Sequence, residues 1–259
     1  QVGIPGRVRG HVWPLAIRNG LMITEELYEI FKAQASQARA ERWVRYTDHG
    51  QSHETETIKS PRVLQNTFAY IDVDLTRTFP GLAFFQDGQA MNQDLRNLLE
   101  TYCFYRPDVG YVQGMSYLAG NLLLYMAPFK AFVCFANLLN APFFYAFLKL
   151  DVKRMEGRYE VLQTVFKDHL PNLFSQFISE RMTPDLYFME WCMTLFSKRL
   201  ALDVVGRVWD CYLITGEEFI YRTAVGSSKF LNFAGILTVL SSNLTEQPFE
   251  RCIKILNSE

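Results

Sequence analysis

Ile71-Asp72-Val73-Asp74-Leu75-Thr76-Arg77-Thr78-Phe79-Pro80 is the stretch on which the reading of this chain turns. It predicts a short helix in which Asp74 and Arg77 stand at i and i+3, on one face and within hydrogen-bonding reach. Ile71 lies one turn before Asp74 and packs inward. Phe79-Pro80 ends the helix, because a residue before proline is pushed out of the α region. The product is an arginine braced by a carboxylate at the end of a local element. Such a brace matters where a guanidinium must present its planar donor fork to something outside the protein. The plainer reading is an Asp-Arg pair on a solvated face, which contributes little.

Downstream, Met91, Leu95, Leu98, Leu99 and Tyr102 mark one face of a helix. Tyr105-Arg-Pro-Asp-Val-Gly-Tyr-Val-Gln-Gly-Met115 follows, where Pro107 and Gly110 predict a turn and Asp108 a cap for what comes next. An apolar helix from Met115 to Met126 places Gln113 at its entrance, near backbone N–H groups. Read without further context, such a Gln bonds its own helix start. Upstream, Gly3-Ile-Pro is an extended turn. Val8, Val12 and Leu15 then take helical spacing, with Arg9 and Trp13 at i and i+4.

Three of these segments resemble the TBC family, whose members are GTPase-activating proteins for Rab GTPases. Ile71, Asp74 and Arg77 fill the Ile-x-x-Asp-x-x-Arg arginine-finger motif, and the Thr-Phe-Pro after it also matches. Tyr111-Val-Gln113-Gly114 resembles the family's Tyr-x-Gln second finger. The two motifs stand 113 minus 77, or 36, residues apart, with one amphipathic helix between them, as in the family. Arg9 and Trp13 resemble the opening Arg…Trp motif, which implies a positioning or partner-contact role. From the residues alone Trp13 is a buried anchor, and Arg9 goes either way.

The resemblance implies an all-α, two-lobed helical domain over residues 1–259. Its N-terminal lobe would span about 1–160 and carry both fingers; its C-terminal lobe would span about 161–259. It implies an activator of GTP hydrolysis on a GTP-loaded Rab-family GTPase, not a hydrolase by itself. Arg77 would neutralise transition-state charge in trans and Gln113 would orient the attacking water. Asp74 would hold Arg77, and Tyr111, with Gly114 beyond it, would position Gln113. GTP and Mg²⁺ would belong to the GTPase and no cofactor to this chain, whose sequence has no Gly-x-x-x-x-Gly-Lys-Ser/Thr phosphate loop. A cytoplasmic protein of vesicle trafficking, meeting endomembranes only through the Rab, follows from the same likeness. The alternative, from another functional class, is a non-catalytic Rab-binding scaffold, because some TBC domains have lost a finger. A generic helical enzyme has no Ser-His-Asp order, paired acids or metal cluster to support it.

At 259 residues and 49% hydrophobic, the chain is long enough for one large domain or two packed lobes. A net charge of −1 gives nucleic acid or an anionic membrane surface no electrostatic hold. Cys103, Cys134, Cys192, Cys211 and Cys252 are odd in number and irregular in spacing, so they predict reduced thiols rather than a disulfide frame or zinc site. Residues Tyr117 to Leu150 are the most apolar, but Asn121, Pro128, Lys130, Asn137, Asn140 and Pro142 interrupt them. Two core helices suit them better than a bilayer span. The chain opens on Gln1 without a Met, as expected of a domain excised from a longer protein.

Thr24-Glu25-Glu26 predicts a capped helix start, and 33–60 a helix tail followed by a polar loop. His49 and His53, four apart in that loop, have no carboxylate or thiol at ligand spacing and are not read as a metal site. In the second half Thr183-Pro184-Asp185 predicts a helix start, with Leu186, Met189, Met193 and Phe196 as its buried stripe. Leu202-Asp203 predicts another, with Val204, Val205, Val208, Trp209 and Tyr212 inward. Trp209-Asp210, Gly216-Glu-Glu-Phe and Arg222-Thr-Ala resemble the family's second lobe, and Gly226-Ser227-Ser228 departs from it.

Overall fold

The computed structural model describes residues 3–47, 62–226, 236–237, 243–244 and 247–257, and among these every regular element is helical. His49 and His53 lie outside the described residues. Contacts divide the chain into two compact units, residues 18–139 and residues 1–17 together with 140–259. This differs from the boundary expected near Glu160. Glu160 lies inside one continuous helix, Val152–His169, and the first helix of the chain belongs with the second half.

That second half comprises α1 (Gly6–Ile17), α7 (Pro142–Leu148), α8 (Val152–His169), α9 (Pro171–Ser179), α10 (Phe188–Thr194), α11 (Leu202–Thr215), α12 (Glu218–Val225) and a last helix, Phe249–Asn257. α1 packs on α11, but not through the stripe expected from its apolar residues. Val8 and Leu15 are exposed, and the buried face is Arg9, Gly10 and Trp13. The reason is Asp210 on α11. Its buried carboxylate accepts from the Ile4 N–H (3.0 Å), Arg9 Nε (3.2 Å), Arg9 Nη2 (3.0 Å) and Trp13 Nε1 (2.8 Å). Trp13 stacks on Trp209 at 5.2 Å between centroids. Gly206 makes room for the guanidinium, since a Cβ there would lie 2.2 Å from Arg9 Nη1.

A buried guanidinium that loses a carboxylate bonded to it twice is costly. Asp210→Ala is therefore expected to destabilise the domain by about 3–5 kcal/mol in urea unfolding. A loss below about 1 kcal/mol, the scale of an exposed pair, would refute the anchoring role of this cluster.

The stripe expected after Thr183 is also corrected. Pro184–Leu186 forms one 3-10 turn, Leu186 is exposed, and α10 starts at Phe188. Tyr187 breaks the phase, so Tyr187, Phe188, Trp191 and Cys192 fill the core beside Met193 and Phe196. α11 follows its expected pattern at Val205, Val208, Trp209 and Tyr212, which are buried, whereas Val204 is only half-buried.

The other unit holds α2 (Glu25–Thr47), α3 (Arg62–Arg77), a 3-10 turn (Ala83–Phe85), α4 (Ala90–Tyr105), α5 (Met115–Leu123) and α6 (Pro128–Asn140). Thr24 caps α2, its Oγ1 accepting from the Leu27 N–H at 3.2 Å. The expected face of α4 is buried at Leu95, Leu98, Leu99 and Tyr102 and half-buried at Met91, and α2, α3 and α5 pack around it. Polar ties set α3 on this scaffold. Asp72 accepts from Arg39 of α2 and Arg96 of α4, and Arg39 also pairs with buried Glu100. With Ile71 and Leu75 in the core, this orientation leaves Arg77 at the solvent end of α3.

The apolar region from Tyr117 to Leu150 resolves into α5, α6 and α7 rather than two helices. Among the described residues no single helix is long and apolar enough to cross a membrane. All five cysteines are free, and four are buried.

Candidate functional site

Asp74 is the floor of the site. Its side chain is almost wholly buried, on the last turn of α3, and both carboxylate oxygens are engaged. Oδ1 accepts from Arg77 Nε at 2.7 Å and from Arg77 Nη2. Oδ2 accepts from the Tyr111 hydroxyl and, at 3.4 Å, from the Gly114 N–H. One carboxylate thus holds both motifs that the sequence set 36 residues apart. Arg77 is half-exposed, its side chain 44% accessible. A guanidinium has five N–H donors; two go to Asp74, and three remain facing outward.

The Tyr111 phenol is pushed well above its ordinary pKa, first by burial and then by the charge and hydrogen bond of Asp74. It therefore keeps its proton and remains a donor to Asp74 throughout the neutral range. The positioning role expected of Tyr111 is thereby specified: its hydroxyl anchors the loop to the floor beneath Arg77. Gly114 stands at φ 97°, the left-handed region, immediately before α5. An L side chain there costs about 1–2 kcal/mol, so glycine suits the turn that swings residue 113 outward. Gln113 is exposed, and among the described residues its amide makes no hydrogen bond. It does not bond its own helix start. The expected Asp108 cap is also absent: Asp108 pairs with Arg106 Nε (2.8 Å) and Nη2 (3.0 Å), and Gly114 occupies the cap position of α5.

Arg77, Gln113, Asp74, Tyr111, Val112, Tyr70 and Val73 line one open pocket of about 310 Å³. At its rim are two unlike donors, the Arg77 guanidinium, braced by Asp74, and the exposed Gln113 amide. Such a pair suits an anionic group with a water beside it. Among the described residues no group of three or more His, Cys, Asp or Glu is placed to hold a metal ion.

Arg9 and Trp13 are not part of this arrangement. They belong to the other unit, buried and committed to Asp210, so the partner-contact role expected of them does not fit. The sequence reading missed Thr78, Ser116 and Tyr117. Thr78 followed the motif arginine, but nothing local announced its hydroxyl contacts across to α5.

A sequence model of the Rab-GTPase-TBC domain matches residues 6–232. The chain belongs to the TBC family. TBC1 domain family member 12 of Xenopus tropicalis is 39% identical over 268 residues, covering 99% of this chain and 39% of that protein. TBC1 domain family member 14 of Homo sapiens is 43% identical over 237 residues, covering 91% and 33%. The chain thus spans well under half the length of these curated relatives. Drainin of Dictyostelium discoideum is 31% identical over 283 residues, covering 98% and 63%. Among solved structures, the Chlamydomonas flagellar RabGAP TBC domain superposes with a TM-score of 0.70 at 20% identity, covering 99% of this chain and 75% of that one. The Ypt/Rab-GAP domain of Gyp1p does so at 0.62 and 19%, covering 99% and 83%. These two likenesses establish the TBC fold.

Proposed function

We propose that this TBC domain accelerates GTP hydrolysis by a GTP-loaded Rab-family GTPase, supplying Arg77 and Gln113 in trans. Family membership supports the Rab-directed, GTPase-activating role. The single observation that carries the two-finger mechanism is Asp74, which bonds Arg77 through one oxygen and the Tyr111–Gly114 segment through the other.

In-line attack of water on the γ-phosphate spreads negative charge over the transferring phosphoryl and the leaving oxygen. The free N–H groups of Arg77 neutralise that charge where it develops, while Asp74 holds the guanidinium so that little side-chain entropy is lost on docking. The Gln113 amide, with a carbonyl acceptor and an N–H donor, orients the water. GTP and Mg²⁺ reside in the GTPase, and this domain contributes side chains alone. Its membrane contact is then indirect, made through the Rab.

The test is a GTPase screen against a panel of GTP-loaded Rabs, repeated with Rabs whose own switch glutamine is replaced by Leu. Stimulation is expected to survive that replacement, because Gln113 takes over the water. No stimulation of any Rab would favour a binding scaffold, and complete dependence on the Rab glutamine would remove Gln113 from the mechanism.

A further inference from the structure

Two backbone carbonyls of the last turn of α3 accept from side-chain hydroxyls. The Thr78 N–H bonds Leu75 O at 3.3 Å, a tightened turn, and Asp74 O accepts from the Thr78 hydroxyl at 2.6 Å. Thr78 Oγ1 also lies 2.7 Å from Ser116 Oγ. A carbonyl only accepts and a hydroxyl has one hydrogen, so the order is fixed: Ser116 donates to Thr78, and Thr78 to Asp74 O. The second carbonyl, Arg77 O, accepts from the Tyr117 hydroxyl at 2.7 Å.

Thr78 and Ser116 are wholly buried and Tyr117 nearly so. The chain reverses just beyond, at Phe79, whose φ is 48°. The Phe79 ring packs edge-on against Tyr117 at 5.2 Å and so close to Gly120 that a Cβ there would lie 3.0 Å away. The first turn of α5 is therefore tied to the end of α3 by two bonds, Ser116 to the Thr78 hydroxyl and the Tyr117 hydroxyl to Arg77 O, and neither accepts at the Asp74 carboxylate.

We propose that Thr78, Ser116 and Tyr117 are positioning residues: their hydroxyls, in addition to the Asp74 carboxylate, set the separation and orientation of Arg77 and Gln113. The proposal rests on the two-finger reading for its consequence in rate. It concerns the machinery beneath the fingers, and none of the three is placed to touch a substrate.

The test compares Thr78→Val, which keeps the shape and removes the hydroxyl, with Thr78→Ser and Tyr117→Phe, on a Rab that the wild type stimulates. Thr78→Val is expected to lower kcat by about a hundredfold, the cost of an ångström-scale misplacement, with KM within about threefold. Thr78→Ser is expected to restore most of the rate. Tyr117→Phe is expected to lower kcat by about tenfold, as one lost tie between the motifs. A second measurement needs no GTPase: exchange of the Arg77 Nε–H with solvent, followed by NMR. It is expected to be at least about tenfold faster in Thr78→Val than in wild type or Thr78→Ser.

An unchanged kcat, or a loss accounted for by the unfolded fraction alone, overturns the proposal. If no Rab is stimulated by the wild type, the two-finger reading is at fault, and the exchange measurement then decides the positioning claim: unaltered exchange in Thr78→Val refutes it. If Thr78→Val does not fold, Tyr117→Phe, which keeps its ring on Phe79, carries the same rate and exchange tests.

Discussion

Arg77→Ala is expected to cut stimulated GTP hydrolysis by about 10³–10⁵ while leaving the domain folded. The size follows from the task. An arginine supplied in trans acts on charge that exists only in the transition state, so its removal appears in the rate rather than in ground-state binding. Removing Arg77 also takes the counter-ion from buried Asp74, so some stability is lost beside the rate effect; the bonds that remain from Tyr111 and Gly114, at the edge of an open pocket, keep the domain folded. Arg77→Lys is expected to be nearly as damaging. Two of the five guanidinium donors are spent on Asp74 and the rest face outward in a fixed plane; an ammonium has three donors on a flexible stem and cannot serve both sides. Single-turnover hydrolysis on a responsive Rab measures both variants. Retention of more than about a tenth of the wild-type rate by Arg77→Ala, a change near 1.4 kcal/mol in barrier, would sink the finger assignment.

The contact most important to this prediction was legible in the sequence because it is local. Asp74 and Arg77 are i and i+3 on one helix, and helical geometry alone brings them together. The α4 face and the Thr24 cap were legible for the same reason, as was the buried side of α11. What the sequence did not disclose lies in partners far along the chain. Tyr111 reaches Asp74 across 37 residues and Tyr117 reaches Arg77 across 40, and no local pattern encodes either bond. Arg9 illustrates how a distant partner reverses a local reading. Val8, Val12 and Leu15 took helical spacing, yet Arg9 and Trp13 are inside, because Asp210, 201 residues beyond Arg9, makes burying a guanidinium tolerable. Backbone reversals hid the rest. Tyr187 and the left-handed Leu195 (φ 44°) break what a periodicity count treats as one stripe, and Phe79 at φ 48° takes a conformation its residue type does not announce.

Gln113→Ala separates the catalytic reading from the scaffold. Its side chain is exposed and makes no hydrogen bond among the described residues, so truncation leaves no buried partner unsatisfied. The melting temperature is accordingly expected to stay within about a degree or two of wild type, as for surface substitutions away from packed features. Stimulated hydrolysis is expected to fall by about 10²–10³, the cost of losing one polar group that acts on the transition state. Affinity should divide by state. Binding to GTP-loaded Rab is expected to change by no more than about threefold, because a water-orienting amide adds little before the reaction begins. Binding to the Rab carrying GDP and a planar fluoride mimic of the transferring phosphoryl is expected to weaken by about 10²-fold or more, since the in-line water is held there. In a scaffold the two complexes would weaken alike or not at all, because Gln113 would contribute only surface area common to both. Titration of both nucleotide states with wild type and Gln113→Ala decides between them. Equal losses in the two states would mean that the amide serves binding, and the water would then have to be oriented by the glutamine of the GTPase itself.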